Sequence, residues 1–326
     1  MNRRDVLTRM AVLAGGGIAA GCVGVTRDSR APVDMLRPGT WAVHRPMLDA
    51  RQEIGVVALR DRMIVIGGFG ELGAAVPAVE AYHPATDAWE RLAPLPAAVH
   101  HPAAAVVDGR LFVVGGYAGR VPPWNAQNTV YEYDVARNSW ATRAPLLIAR
   151  GGHAAATVGG RIHVVGGAHG DALSEHEAYD PAADRWTRLA SMPFARDHLA
   201  AVAFQGRLWA IGGRSSFLGD QYAHVDIYDA STNHWHTGPP LPEGRGGLAA
   251  AVFEDRIFVF GGESPLRIFS ATEMYEAAGN RWIAKEPMPT PRHGIGAAVL
   301  DGRIWIPGGG TRPGLARTPA NEAYRP

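Results

Sequence analysis

Short apolar runs that end in a Gly-Gly doublet recur along the chain. Met63-Ile-Val-Ile leads to the doublet at 67–68, and Leu111-Phe-Val-Val leads to the doublet at 115–116. Further doublets stand at 166–167, 212–213, 261–262 and 308–309. Brief apolar runs bounded by glycine are typical of buried β-strands. The six copies therefore predict a repeat protein built from short strands.

Aromatic residues mark the same repeat on both sides of each doublet. Tryptophans stand 26 residues before the first glycine of every doublet, at 41, 89, 140, 186, 235 and 282. Tyrosines precede the later tryptophans by seven residues, at 82, 133, 179, 228 and 275, and Tyr324 is the sixth. Length varies only between doublet and tyrosine, with intervals of 15, 18, 13, 16, 14 and 16 residues. A rigid scaffold with one set of variable loops indicates a working surface on the face that carries those loops.

Each repeat contains four predicted strands in a constant order. The tryptophan strand comes first, followed by a Pro-rich link and a strand of small residues such as His153-Ala-Ala-Ala-Thr-Val. The apolar strand and the tyrosine strand follow. At one register of the small-residue strand the residues are Gly55, Ala103, Ala154, Ala200, Ala249 and Gly296. Such small side chains suit strands that crowd around a central axis.

These repeats of 46–51 residues resemble the kelch motif, and the resemblance covers residues 41–326. It implies an all-β fold, a six-bladed β-propeller of four-stranded antiparallel blades over residues 39–326. The last repeat stops after Tyr324, before any tryptophan, so we expect the Trp41 strand to complete the sixth blade. The resemblance also implies that the variable loops share a face with the links that enter the innermost strands.

The first 22 residues have the features of an export signal. Arg3-Arg4-Asp5-Val6-Leu7 resembles a twin-arginine motif and precedes a short apolar run. The sole cysteine, Cys22, follows Ala19-Ala20-Gly21 in a pattern that resembles a lipobox, which predicts acylation; ordinary cleavage nearby is the alternative. Residues 23–38 lack periodicity and are predicted to be a flexible linker. We therefore expect export to the periplasm or cell envelope, with membrane attachment only through a lipid on Cys22.

The composition of the chain argues against several classes of partner and cofactor. A formal net charge of +1 over 326 residues gives no support for nucleic-acid binding. One cysteine permits no internal disulfide. It also excludes a copper site of the galactose-oxidase kind, whose cross-linked tyrosine needs a cysteine within the propeller. The histidines show no metal-binding spacing, so the sequence predicts no metal and no cofactor, and we expect a monomer.

A register of arginines is the first candidate site. Sixteen residues before each doublet stand Arg51, Val99, Arg150, Arg196, Arg245 and Arg292. Five guanidinium groups around a six-fold ring would suit an anionic ligand at the channel mouth. The alternative is structural: each arginine would bond loop carbonyls and acidic neighbours.

Acid–base residues and an aromatic residue complete the candidate sites. Two residues beyond the arginines stand Glu53, His101 and His198, with glycine in the other three repeats. Carboxylate and imidazole groups can transfer protons, so these three are the catalytic candidates. Trp124, in the longest variable loop, could stack on a sugar ring, or it could fold down to anchor its own loop.

Two functions remain open from the sequence. The first is a binding or scaffolding module that recognises a glycan, a peptide or a protein through the variable-loop face. The second is an isomerase similar to the bacterial kelch mutarotases of sialic acid, with an arginine-ringed channel mouth that receives the sugar carboxylate. That resemblance extends to the architecture and not to matched catalytic residues.

Overall fold

The computed structural model describes residues 38–120, 122 and 124–326. Within them, six antiparallel sheets of four strands each surround a central channel. The predicted all-β six-bladed propeller is confirmed. The predictions for the export signal, for Cys22 and for most of the linker lie outside the described residues.

The strands of the first three blades follow the predicted order. From the inner edge outward, each blade contains the small-residue strand, the apolar strand, the tyrosine strand and the tryptophan strand. In blade one these are Gly55–Leu59, Arg62–Ile66, Val79–His83 and Ala88–Arg91. In blade two they are Ala103–Val107, Arg110–Val114, Val130–Asp134 and Ser139–Arg143. In blade three they are Ala154–Val158, Arg161–Val165, His176–Asp180 and Arg185–Leu189.

The other three blades repeat the arrangement. Blade four contains Ala200–Phe204, Arg207–Ile211, Val225–Asp229 and His234–Thr237. Blade five contains Ala249–Phe253, Arg256–Phe260, Thr272–Glu276 and Arg281–Ala284. Blade six contains Ala298–Leu300, Arg303–Pro307 and Asn321–Arg325, and its outermost strand is Thr40–His44. Trp41 lies opposite Tyr324 in that last pairing, so the two ends of the propeller share one sheet.

Smaller elements lie in the variable loops. Two-residue strand pairs are Tyr117–Ala118 with Asn125–Ala126, Ala168–His169 with Asp171–Ala172, and Glu263–Ser264 with Arg267–Ile268. A short 3-10 helix spans Glu71–Gly73. Among the described residues, no helix has the length and apolar character needed to cross a membrane.

The repeat aromatics connect neighbouring blades. Each tryptophan donates its indole N–H to a backbone carbonyl of the blade before it, as Trp235 does to Ala190 at 2.7 Å. Each tyrosine of blades one to five donates its hydroxyl to an Asp or Asn five residues later, as Tyr228 does to Asn233 at 2.7 Å. The same Asn233 oxygen accepts the backbone N–H of Ala190. Trp, Tyr and the Asn or Asp therefore recur because together they fix the contact between blades.

The inner strands crowd as their small residues predict. They line a channel of about 380 Å³. A Cβ atom added to Gly296 would lie 2.6 Å from the Cβ of Val56 in the adjacent blade. The Gly-Gly doublets take positive φ angles, and a Cβ on Gly67 would lie 2.6 Å from the carbonyl oxygen of Val99. Larger residues at these positions would push the blades apart.

Candidate functional site

The variable loops and the links into the inner strands meet at one end of the channel. In every blade the residue after the arginine register pairs with the residue after the Gly-Gly doublet. These pairs include Gln52 with Phe69, His100 with Tyr117, Asp197 with Arg214, Gly246 with Glu263 and His293 with Gly310. The loops and links therefore share a face, which we call the variable-loop face.

The five arginines do not form an open anion-binding ring, which corrects that prediction. Arg51, Arg150, Arg196, Arg245 and Arg292 are all buried. Each is ion-paired to a buried carboxylate that precedes the blade tyrosine by two residues: Glu80, Glu177, Asp226, Glu273 and Glu322, respectively. Each also donates to carbonyl oxygens of its own blade, as Arg292 does to Gly308 at 2.8 Å. The guanidinium groups are buried in ion pairs and hydrogen bonds inside the blades and are not available to a ligand.

Two residues further on, six backbone segments form a closed ring of hydrogen bonds around the axis. The residue at this register in each blade donates its N–H to the carbonyl of its counterpart in the preceding blade. The ring runs through Glu53, His101, Gly152, His198, Gly247 and Gly294, with N···O distances of 2.7–3.2 Å. We call these six residues the axial ring.

Every residue of the axial ring has a left-handed backbone. The φ angles lie between 51° and 66°, including 55° for Glu53, 54° for His101 and 51° for His198. Glycine adopts this conformation freely, whereas other residues pay about 1–2 kcal/mol for it. Side chains at three of six such positions indicate a role for those side chains that offsets the cost.

The three side chains converge on the axis. Glu53 Oε2 lies 3.2 Å from His101 Nε2 and 3.8 Å from His198 Nε2. One ligating atom from each residue lies within 4.8 Å of the other two, in a buried setting. The spacing along the chain predicted no metal site, but the fold assembles a group of two imidazoles and one carboxylate that could hold a metal. The catalytic candidates are therefore brought together.

A second layer of charged residues orients the cluster from the loop side. His198 Nδ1 is 2.7 Å from Asp197 Oδ1, and Arg214 donates to the same oxygen at 3.2 Å. Arg214 also donates to Glu263 Oε1 at 2.8 Å. His293 Nδ1 lies 3.4 Å from both Glu53 Oε1 and Glu263 Oε1. All of these side chains are buried.

Sequence reasoning missed Arg214 and Glu263 in this layer. Both stand directly after a Gly-Gly doublet, at a register that also contains Phe69, Tyr117, Ala168 and Gly310. The other repeats have small or aromatic residues at this register, so the charge at Arg214 and Glu263 was the sequence feature that could have identified them.

The surroundings shift the ionisation of the cluster. Burial lowers the pKa of His101 well below its usual range and lowers the pKa of His100 to about 3. Burial alone would raise the pKa of Glu53, but His101, His293 and His198 outweigh it and hold that pKa well below its usual range. At neutral pH Glu53 is therefore a carboxylate, and it presents lone pairs to the axis.

Trp124 folds down towards the axial ring. Its ring centroid lies 4.9 Å from that of His100, 5.5 Å from that of His101 and 5.6 Å from that of Phe69. Tyr117 lies 5.5 Å away. The indole is engaged by these rings, as expected if it anchors its own loop.

The variable loops instead expose aliphatic side chains. Leu72, Leu218, Leu266 and Leu315 come from the loops of four different blades and are between 62% and 96% exposed. Beside Leu72 and Leu315 is a cleft of about 370 Å³, which Gln52, Phe69, Arg120 and Arg317 also line. The variable loops of this face therefore carry exposed aliphatic side chains, whereas the cluster at its centre is charged and buried.

Comparison with known proteins reports the same repeat. The chain matches the model of the KLHDC2/KLHL20/DRC7 Kelch-repeats domain over residues 36–213 and 149–309. It is 34% identical to Kelch-like protein 38 of Mus musculus over 132 residues, which are 40% of this chain and 22% of that protein. It is 31% identical to alpha-scruin of Limulus polyphemus over 132 residues, which are 40% of this chain and 14% of that protein. The matched segments span less than a quarter of these relatives.

A solved structure supports the architecture independently. The structure of YjhT aligns with a TM-score of 0.72 at 19% identity, covering 85% of this chain and 95% of that chain. At this identity the likeness establishes the shared fold.

Proposed function

The chain belongs to the Kelch-repeat family, and from that premise we propose that it is a binding or scaffolding module that holds a protein partner on its variable-loop face. The observation that carries the proposal is the set of four exposed leucines on loops of one face. Single exposed leucines are ordinary on protein surfaces. Several on one rigid face, two of them beside a cleft, are typical of a surface that buries apolar area against another protein.

The same observations favour a protein partner over a glycan or an anionic small molecule. Sugar recognition needs an aromatic face free to stack, but Trp124 packs against His100, His101 and Phe69. The arginine register, which was the candidate for anion recognition, is buried and ion-paired. The exposed leucines offer instead the aliphatic contacts that protein interfaces bury.

Site-specific photo-cross-linking tests the proposal in the cells of origin. A photoreactive amino acid at position 266, 96% exposed in its loop, should form an adduct with a protein partner. The same amino acid at Arg137 serves as the control, because Arg137 is exposed in a turn at the opposite end of the blade. Adducts at 266 that disappear when Leu72, Leu218 and Leu315 are changed to serine support the proposal. Equal adducts at 266 and 137, or none at 266, would overturn it.

A second candidate function rests on the axial cluster. A carboxylate 3.2 Å from an imidazole, beside an open channel, can exchange protons with a small molecule such as the anomeric hydroxyl of a sugar. Proton NMR of anomer exchange with sialic acid and with neutral sugars tests it. Faster exchange that is lost in Glu53→Gln would establish an isomerase, whereas unchanged exchange would remove this candidate for those sugars.

We also propose that this module works in the cell envelope. The twin-arginine pattern and the lipobox-like run before Cys22 support this location. Labelling with a radioactive fatty acid tests the anchor: label should enter the wild-type chain and be absent from Cys22→Ser. Equal labelling of both would contradict acylation at Cys22.

A further inference from the structure

We propose that the axial ring binds a divalent transition-metal ion, with Glu53, His101 and His198 as its protein ligands. This site is separate from the variable-loop leucines and goes beyond the proposed binding function. Two imidazole nitrogens and one carboxylate oxygen are the donor set of many zinc and iron(II) sites that keep a position open for water or substrate.

The distances suit one ion. Ligands about 2.1 Å from a tetrahedral ion lie about 3.4 Å from one another. The carboxylate oxygen of Glu53 is 3.2 Å from His101 Nε2 and 3.8 Å from His198 Nε2. Small rotations of these side chains would therefore complete the coordination without moving the backbone, which the ring of hydrogen bonds holds in place.

The second layer has the form found around metal-bound histidines. A ligating histidine usually gives its other ring nitrogen to a carboxylate or carbonyl, which fixes the tautomer and the direction of the lone pair. His198 meets Asp197 through Nδ1 at 2.7 Å and turns Nε2 towards Glu53. Arg214 in turn holds Asp197 at 3.2 Å. This arrangement leaves His198 Nε2 as the free electron-pair donor on the axis.

Charge balance supplies an independent argument. The buried network contains three carboxylates, from Glu53, Asp197 and Glu263, and one guanidinium group, from Arg214. The five blade arginines have their own carboxylate partners and cannot neutralise it. These three carboxylates face a single guanidinium group, and buried negative charge is costly unless positive charge lies beside it. A divalent cation in the axial ring would place positive charge beside these carboxylates.

The backbone gives a third argument. Glycine occupies this register in blades three, five and six, at Gly152, Gly247 and Gly294. Those glycines leave space around the axis, since a Cβ on Gly294 would lie 2.5 Å from Glu53 Oε1. Side chains are thus retained at three strained positions, and one is omitted at Gly294, where it would obstruct the carboxylate of Glu53.

A cavity beside the three ligands could hold the ion, and the central channel could give access to it. A cavity of about 80 Å³ lies among Glu53, His101 and His198, which is enough for an ion with a bound water. It shares walls with the central channel, including Ile54 and Leu199. The coordination positions that remain open would therefore face the channel.

Zinc titration of the full chain tests the site. The protein is purified without a histidine tag, stripped with EDTA and titrated with Zn²⁺ by calorimetry, and Co²⁺ absorption reports the ligand geometry. The wild type should bind one equivalent. The single variants Glu53→Gly, His101→Gly and His198→Gly should each bind at least about tenfold more weakly, and the triple variant should bind none at this site. His236→Gln, at an exposed histidine, is the matched control and should bind as the wild type does.

The glycine variants are chosen because glycine already occupies three of the six ring positions, so circular dichroism should report an intact fold. Equal binding by the wild type and the triple variant would overturn the proposal, because the ion would then sit on surface groups. An absence of zinc binding by the wild type would overturn it too.

Discussion

Removing one buried arginine should reveal that the arginine register stabilises the blades. In Arg292→Met, Glu322 loses its partner at 2.7 Å, and the carbonyl oxygens of Ile306 and Gly308 lose donors at 3.0 and 2.8 Å. Both side chains of the ion pair are almost fully buried. The change therefore strands a buried carboxylate, which costs about 3–5 kcal/mol. That is a large part of a typical unfolding free energy of about 5–15 kcal/mol.

Urea unfolding followed by tryptophan fluorescence measures the loss. The double variant Arg292→Met/Glu322→Gln should recover part of the stability, because no unpaired charge remains. Arg281→Met is the surface control: its partner, Glu276, is 2.8 Å away, but the Arg281 side chain is 67% exposed. That change should cost less than about 1 kcal/mol. If Arg292→Met destabilised the protein no more than Arg281→Met does, the structural role assigned to the register would be refuted.

Three further results are expected. Burial lowers the pKa of His163 to about 4 and of His176 to about 3, so both stay neutral in the fold while the unfolded chain takes up protons below about pH 6.5. As the pH falls from 6.5 towards 4, the unfolding free energy should decrease by up to about 1.4 kcal/mol per pH unit for each histidine. Replacing both histidines with leucine should make the unfolding free energy less dependent on pH. An unchanged pH dependence in that variant would contradict the role assigned to these two histidines. Asn233→Ala should cost about 1–3 kcal/mol in urea unfolding, because Tyr228 and the Ala190 N–H lose their acceptor, whereas a loss near zero would contradict the inter-blade role. Changing Arg3 and Arg4 to lysine should retain the precursor in the cytoplasm on fractionation, and continued export would reject the twin-arginine interpretation.

The repeat pattern predicts the fold well because its marker residues each do one local task. Trp235 donates a hydrogen bond to the preceding blade, and Tyr228 donates one to the turn that follows its own strand. Gly67 has a positive φ angle, which is unfavourable for other residues. These contacts recur at fixed spacing, so the spacing itself encodes the blade. Small residues such as Ala154 predict the inner strand for the same reason.

The site is less predictable, since a register position does not reveal where a side chain points. Arg292 and Glu53 stand only two registers apart in their repeats, yet the arginine turns into its blade and the glutamate into the axis. His101 and His198 are separated by 97 positions along the chain, so no local sequence motif predicts their contact with Glu53. Charge pairing between neighbouring loops, such as Arg214 with Glu263, depends on the three-dimensional order of the blades.

The most direct test of the central claim is the affinity of the cross-linked partner for the purified propeller, measured by calorimetry. Serine at the four loop leucines Leu72, Leu218, Leu266 and Leu315 should weaken binding by at least about tenfold, which corresponds to about 1.4 kcal/mol, because buried aliphatic side chains each contribute on that scale. Val43→Ser, at an exposed apolar residue of the outermost strand of blade six, should leave the affinity unchanged. Unaltered affinity in the leucine variant, or an equal loss in Val43→Ser, would contradict binding through the variable-loop face.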